Sequence, residues 1–304
     1  MQSDPTRVPQ VSSLRPGLLT PGSTINTLLS DFIDYAGLFP PAGLDMPTAV
    51  AHYLAYQRSA HAAALGRFIV NLDRIDAFRS AAAGDLRHLK LSVIVSTSAD
   101  CDRVSALLDD GLPIESIEIK IQLKSEIAGL TNHLPPDIER YFELAMNPVD
   151  PEILNAIAAT GARVKLRMGG VTAEAFPSAA AVARALKSLG DHGLAFKATA
   201  GLHHPIRTRH PFTYAPDSPV GWMHGFVNLV CAAALIHSGG TAGEAEALLE
   251  ERDAAAFLLN ADGIAWRSNV WNADHLSRTR KNFVSFGSCS FEEPIRDMEA
   301  LGWL

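Results

Sequence analysis

The chain has 304 residues, 47% of them apolar, with 22 glycines and 18 prolines, a composition that excludes a wholly disordered, collagenous or membrane-embedded protein. At roughly 100 to 200 residues per domain, this length allows one large domain or two small ones. The 26 basic and 33 acidic side chains leave a net charge of −7, and no long basic run exists, so nucleic acid is excluded as the expected partner.

Residues 1–25 carry Pro, Ser, Thr and Gly without the apolar core of a signal peptide, and read as a flexible polar tail. Residues 26–304 read as a single domain. Within it, short β-branched runs alternate with Ala/Leu-rich helical stretches. The strand candidates are residues 31–38, 67–72, 89–96, 116–122, 141–146, 163–168, 194–198 and 283–286. Helix starts are marked where an acceptor side chain precedes a proline in the first turn, as at Asp45 before Met46 and Pro47, and at Asp150 before Pro151. Repeated βα units demand parallel strands, and eight of them predict an α/β fold, the (β/α)8 barrel.

The spacing breaks after residue 200, because about 80 residues separate the seventh and eighth strand candidates. The excess, residues 203–282, is expected to be a helical insertion between strands 7 and 8, on the catalytic face of the barrel. It opens with a His/Pro/Arg-rich stretch. A long apolar helix from about Trp222 to His237 follows, then a helix capped by the Thr241/Glu244 pair. The longest apolar stretch, 226–236, is interrupted by Asn228 and is too short to span a bilayer. Three cysteines with no paired spacing, Cys101, Cys231 and Cys289, suggest neither a disulfide framework nor a thiolate zinc site, and a cytoplasmic location is expected.

Alternate residues of a strand share a face. In Val164-Lys165-Leu166-Arg167-Met168 the apolar residues take one face, and Lys165 and Arg167 take the other. The same pattern turns Glu118 and Lys120, Glu143 and Lys197 toward the barrel lumen. Buried charge costs several kcal/mol unless it is paired or used, so a cluster of six ionisable groups on four successive strands points to function. A lysine crowded by Arg167 and Lys197 has its ammonium form disfavoured, and its free amine can attack a carbonyl. Lys165 is therefore the expected Schiff-base nucleophile, with Glu118 and Asp34 moving protons. No cofactor is required.

The segment Ile33-Asp34-Tyr35-Ala36-Gly37-Leu38-Phe39-Pro40-Pro41-Ala42 resembles the first-strand signature of the deoxyribose-phosphate aldolases. Four later segments are similar to strand motifs of that family in the same order: Glu115 to Glu118, Lys165 to Gly169, Phe196 to Gly201, and Phe286 to Ser290. The resemblance implies a class I aldolase on a (β/α)8 barrel, in which Lys165 forms the imine, Lys197 lowers its pKa, and Glu118 with Asp34 belongs to the proton relay. It further implies that Gly169, Gly201, Gly287 and Ser288 line a phosphate site. The chain departs from the family in placing Glu118 for an aspartate, Arg167 for a small polar residue, and the His203-His204-Pro205-Ile206-Arg207 continuation with its long insertion.

The expected activity is thus that of a lyase on a small aldehyde or keto substrate, phosphorylated or carboxylated, with Arg167, Gly170, His203, His204, Glu143 and Lys120 as further substrate contacts. Eleven histidines, four of them in or near the seventh loop, keep open a metal-dependent lyase or isomerase with Glu118, Glu143 and a histidine as ligands. A third reading is a barrel that binds a small anionic metabolite without reacting. Its lysines would be paired with Glu118 and Glu143. In all three the partner is a small molecule, with no membrane or nucleic acid, and homo-oligomeric assembly is compatible. Ser290 and Glu293 read as a capping box, and Cys289 as a buried small apolar residue.

Overall fold

The computed structural model describes residues 24–82, 84–121, 124–144 and 149–304. The expected polar tail lies outside them, except Thr24 and Ile25, which open the first helix.

Up to Thr199 the chain repeats a strand and a helix in turn. Helix α1 (Thr24–Leu29) precedes β1 (Ile33–Tyr35), α2 (Met46–Tyr56), β2 (Leu65–Asn71), α3 (Ile75–Ala81), β3 (Leu91–Val95) and α4 (Ser98–Asp109). Then come β4 (Ile114–Lys120), α5 (Lys124–Thr131), β5 (Glu139–Leu144), α6 (Pro151–Ala159), β6 (Arg163–Arg167), α7 (Ala179–Asp191) and β7 (Phe196–Thr199). The helix starts follow from the sequence. Asp45 accepts from Thr48 N and Asp150 from Glu152 N, each with a proline in the first turn, while Thr97 and Asp100 cap α4 reciprocally.

After β7 the chain forms a hairpin, β8 (Thr208–Pro211) with β9 (Val220–Met223), then α8 (Phe226–His237) and α9 (Ala242–Leu249). An antiparallel sheet follows, β10 (Phe257–Asn260), β11 (Gly263–Trp266) and β12 (Asn269–Asn272), before α10 (Ala273–Asn282). The chain then returns to the barrel with β13 (Phe283–Ser288) and ends on α11 (Glu292–Ala300).

The strands β1, β13, β7, β6, β5, β4, β3 and β2 close into a barrel, every neighbour parallel. This is the expected (β/α)8 architecture, and each of the eight barrel strands overlaps a predicted one. Gln122 and Met146, where two predicted strands were to end, lie outside the described residues. The insertion is less helical than expected. Trp222 belongs to a hairpin strand, because Val220–Met223 pair with Thr208–Pro211, and α8 starts at Phe226 after the extended Gly225, whose missing Cβ lets the backbone lie against Pro205 and Arg207. Helix α8 is apolar on all sides because it is buried on all sides, between the barrel and α7, α9 and α10.

The outward faces of the barrel strands, such as Ile117, Ile119, Phe142, Val164, Leu166, Phe196 and Ala198, are buried under the helices. The lumen is different. Where a barrel of this kind is normally filled with branched apolar side chains, this one stacks charges. Near the N-terminal ends of the strands, Glu139 pairs with Arg67 at 2.8 Å and with Arg163, and Tyr141 donates to Glu139 at 2.8 Å.

Candidate active site

Above that layer, Lys197 on β7 has no exposed surface and places its Nζ 2.6 Å from Asp34 Oδ2 and 2.6 Å from Glu118 Oε1. Lys165 lies beside it in strand register on β6. Its Nζ is 2.7 Å from Glu118 Oε2 and 2.8 Å from Glu143 Oε2. Glu118 on β4 therefore touches both ammonium groups, one with each oxygen. Arg167 completes the row, its Nε donating to Glu143 Oε1 at 3.1 Å. Hydroxyls fill the remaining sites: Ser92 donates to Glu118, Ser116 to Ser92, and Ser285 to Asp34. Asp34 also accepts from the backbone N of Arg67, an approach possible because residue 66 is glycine, where a Cβ would stand 2.3 Å from Asp34 Oδ1.

The electrostatics differ from the sequence-based expectation. Lys197 and Arg167 were to crowd Lys165 with positive charge. Instead carboxylates are interleaved among the three cations, and Asp34, Glu118 and Glu143 balance Lys197, Lys165 and Arg167. Burial by itself would push Lys197 down, but Asp34 and Glu118 outweigh it and hold its pKa above the usual lysine value. Burial would likewise raise Glu118 and Glu143. The lysines prevail at Glu118, and Lys165 with Arg167 at Glu143, so both carboxyls sit below their usual range.

Over this cluster opens a cavity of about 840 Å³, lined by residues from both the barrel and the β8–β9 hairpin. Lys165, Glu118, Glu143, Arg167, Lys120, Gly170, Gly201, His203, His204 and Gly287 of the expected site face it. Lys197, Asp34, Gly169 and Ser288 are not part of its wall. The first two lie beneath, where Lys197 meets the wall residue Glu118. Ser288 is on the helix-facing side of β13, where Ser285, Gly287 and Cys289 share the lumen face. Gly169 is covered by Phe176, against which Gly201 also packs: at Gly201, with φ of +68°, a Cβ would lie 2.5 Å from the Phe176 ring and 3.1 Å from Gly169 Cα. Close packing accounts for both glycines without a phosphate.

Two wall residues, Glu293 and Cys289, make contacts that the sequence reading did not give them. Ser290 does accept from Glu293 N, but the Glu293 side chain completes no capping box; it meets His203 Nδ1 at 2.6 Å. Cys289 faces the cavity, its Sγ 3.8 Å from His203 Nε2 and 3.6 Å from the Tyr214 hydroxyl. The alternation Ser285, Gly287, Cys289 was the signal that could have found it. His204 Nδ1 pairs with Asp297 at 2.6 Å and its ring stacks on His210 at 3.4 Å. Among the described residues no group of three or more His, Cys, Asp or Glu is gathered as metal ligands would be, and no helix is long and apolar enough to cross a membrane.

Fold and site together define a (β/α)8 barrel with a charge-balanced lysine–carboxylate cluster under a large cavity. No protein-family model matches the chain, and no curated protein does. Among solved structures it is similar to a nitroalkane oxidase from Streptomyces ansochromogenes, with 13% identity over 60% of this chain and 62% of that one, at a TM-score of 0.34. The match therefore spans less than two thirds of that protein's length.

Proposed function

We propose that the protein is a Schiff-base lyase of the class I aldolase type, acting on a small aldehyde or keto substrate. The observation that carries this reading is the position of Lys165: an amine at the cavity floor, next to a second, wholly buried lysine, with one glutamate bridging the two. In the reaction Lys165 Nζ gives up a proton to a carboxylate in contact with it, attacks the carbonyl carbon, and loses water to form the imine. Lys197 stays charged beneath, which keeps Glu118 ionised and aimed at Lys165. Glu118 and Glu143 are the groups placed to move protons at the adduct. Asp34 acts at one remove, as the partner that fixes Lys197.

The surroundings of Gly287 favour a carboxylated or neutral substrate over a phosphorylated one. The first turn of α11, where a helix dipole would attract an anion, already holds Glu292 and Glu293. Arg167 and Lys120 at the cavity wall are the cations left to receive a carboxylate.

The test is reduction with cyanoborohydride in the presence of acetaldehyde or pyruvate, followed by peptide mapping. One equivalent of added mass at Lys165 is expected, and none in Lys165→Met. An adduct that persists in that variant at Lys197 moves the nucleophile, and the absence of any site-specific adduct ends the proposal. The pairing of both lysines also favours a second reading, in which the cavity binds a small carboxylate without reacting. That reading requires binding of pyruvate by calorimetry with no trapped imine.

A further inference from the structure

The wall of the cavity formed by β13, the β7 loop and the insertion carries a separate group of reactive side chains. His203 is buried between two of them, with Nδ1 on the Glu293 carboxylate and Nε2 facing Cys289 Sγ. Tyr214, from the hairpin, brings its hydroxyl to the same sulfur. Among the described residues the other two cysteines have no such neighbours: Cys101 is packed in α4, and Cys231 in the apolar α8. A thiol, an imidazole and a carboxylate in hydrogen-bonded sequence are the parts of an activated nucleophile, in which the third group orients the second.

We propose that Cys289, with His203 and Glu293, is a second nucleophilic centre of the cavity that adds reversibly to aldehydes. The His203 imidazolium gives its Nε2 proton to the carbonyl oxygen as the sulfur lone pair forms a bond to the carbonyl carbon, and the vacated Nε2 takes the proton of Sγ–H. The π electrons move to the oxygen, which the His203 proton neutralises, so the ring ends the step protonated as it began. The product is a hemithioacetal, and no leaving group, oxidant or cofactor is consumed. An aldehyde is the favoured carbonyl class, being less hindered and more electrophilic than a ketone. Tyr214 can donate to the same oxygen, and Glu293 holds the ring with Nε2 toward the sulfur. Burial alone would lower the His203 ring, but its bonds to Cys289 and Glu293 outweigh it and raise it to about 10, so the ring holds a proton at neutral pH that it can give to the carbonyl oxygen. This inference goes beyond the lyase reading and does not depend on it.

Alkylation of the intact chain by iodoacetamide, mapped by mass spectrometry, tests it. Cys289 should be labelled well ahead of Cys101 and Cys231, and His203→Gln should slow its labelling by about a hundredfold. Propionaldehyde should protect Cys289 both in the native chain and in Lys165→Met, where no imine can form at position 165. Thermal melting monitors the fold of each variant, and Glu293→Gln gives a second route to the same loss should His203→Gln melt early. Labelling of Cys289 no faster than of the other cysteines overturns the proposal. So does a rate unchanged in both variants, or aldehyde protection that disappears in Lys165→Met. Failure to trap an imine at Lys165 leaves this result untouched, so the two readings fail separately.

Discussion

Glu118 shows how much one side chain can determine. Its two oxygens hold two lysines at 2.6 Å and 2.7 Å, and Ser92 donates to one of them. An aspartate there, one methylene shorter, would have to give up one of these contacts. Lys197 is the complementary case, an ammonium with no exposed surface that two carboxylates retain. Lys197→Met would strand both acids without their cation, and loss of one partner from a buried ion pair costs about 3–5 kcal/mol. Chemical denaturation should register a loss of that order. A loss below about 1 kcal/mol would mean that water or a rearranged neighbour replaces the ammonium. Lys165→Met removes a group that faces the cavity, so its larger effect is expected on imine trapping. The period-2 pattern made the inward direction of these residues legible from sequence. Their partners were not, since Lys197 and Asp34 stand 163 positions apart.

At the scale of elements, the barrel strands and the helix caps follow directly from local sequence. Asp45, Thr97, Asp150, Ser178 and Thr241 each accept a backbone N–H in the first turn of a helix. The turn after β7 is constrained by backbone geometry and packing together. Ala200 and Gly201 both have positive φ, and Gly201 has the Phe176 ring against it. Gly201→Ala is expected to cost about 1–3 kcal/mol, since it adds left-handed strain to a steric clash. The accompanying sign would be a shift of Phe176, which itself stacks on Phe212 of the insertion. Unchanged melting in this variant would mean the turn can relax. The insertion was the least legible element. Its apolar residues allow helix or strand equally well over short stretches, and what makes β8 and β9 a hairpin is the mutual pairing of Thr208 through Pro211 with Val220 through Met223.

For the whole molecule, the buried charges set the response to pH. Glu118 and Glu143 have folded pKa values below their unfolded ones, so the stability they provide is present above about pH 4.3 and is lost as pH falls toward their folded values. His224, which burial lowers to about 4, adds to the acid limb, because the unfolded chain takes up its proton from about pH 6.5 downward. On the other side, His203 is raised to about 10, so its contribution is complete below about pH 6.5 and fades as pH climbs to the folded value. Lys197, raised above its usual value, loses its share only at still higher pH. Melting temperature plotted against pH should therefore peak near pH 6 to 7 and fall on both sides, with His203→Gln flattening the limb between about pH 7 and 10. A profile that keeps rising from pH 7 to 10 would contradict this arrangement.

The sequence by itself determined the eight barrel strands, their inward faces, the starts of the side-chain-capped helices and the presence of charge in the lumen. All of these depend on periodicity and on interactions within a few residues. Tertiary structure alone decided which charges neutralise one another, which of the two lysines reaches the cavity, and that Cys289 meets a histidine 86 positions away and, through it, a glutamate. Closure of the barrel brings strands distant in the chain to within hydrogen-bonding distance, and the strength of an ion pair or a proton transfer depends on that distance and on burial, neither of which local sequence encodes.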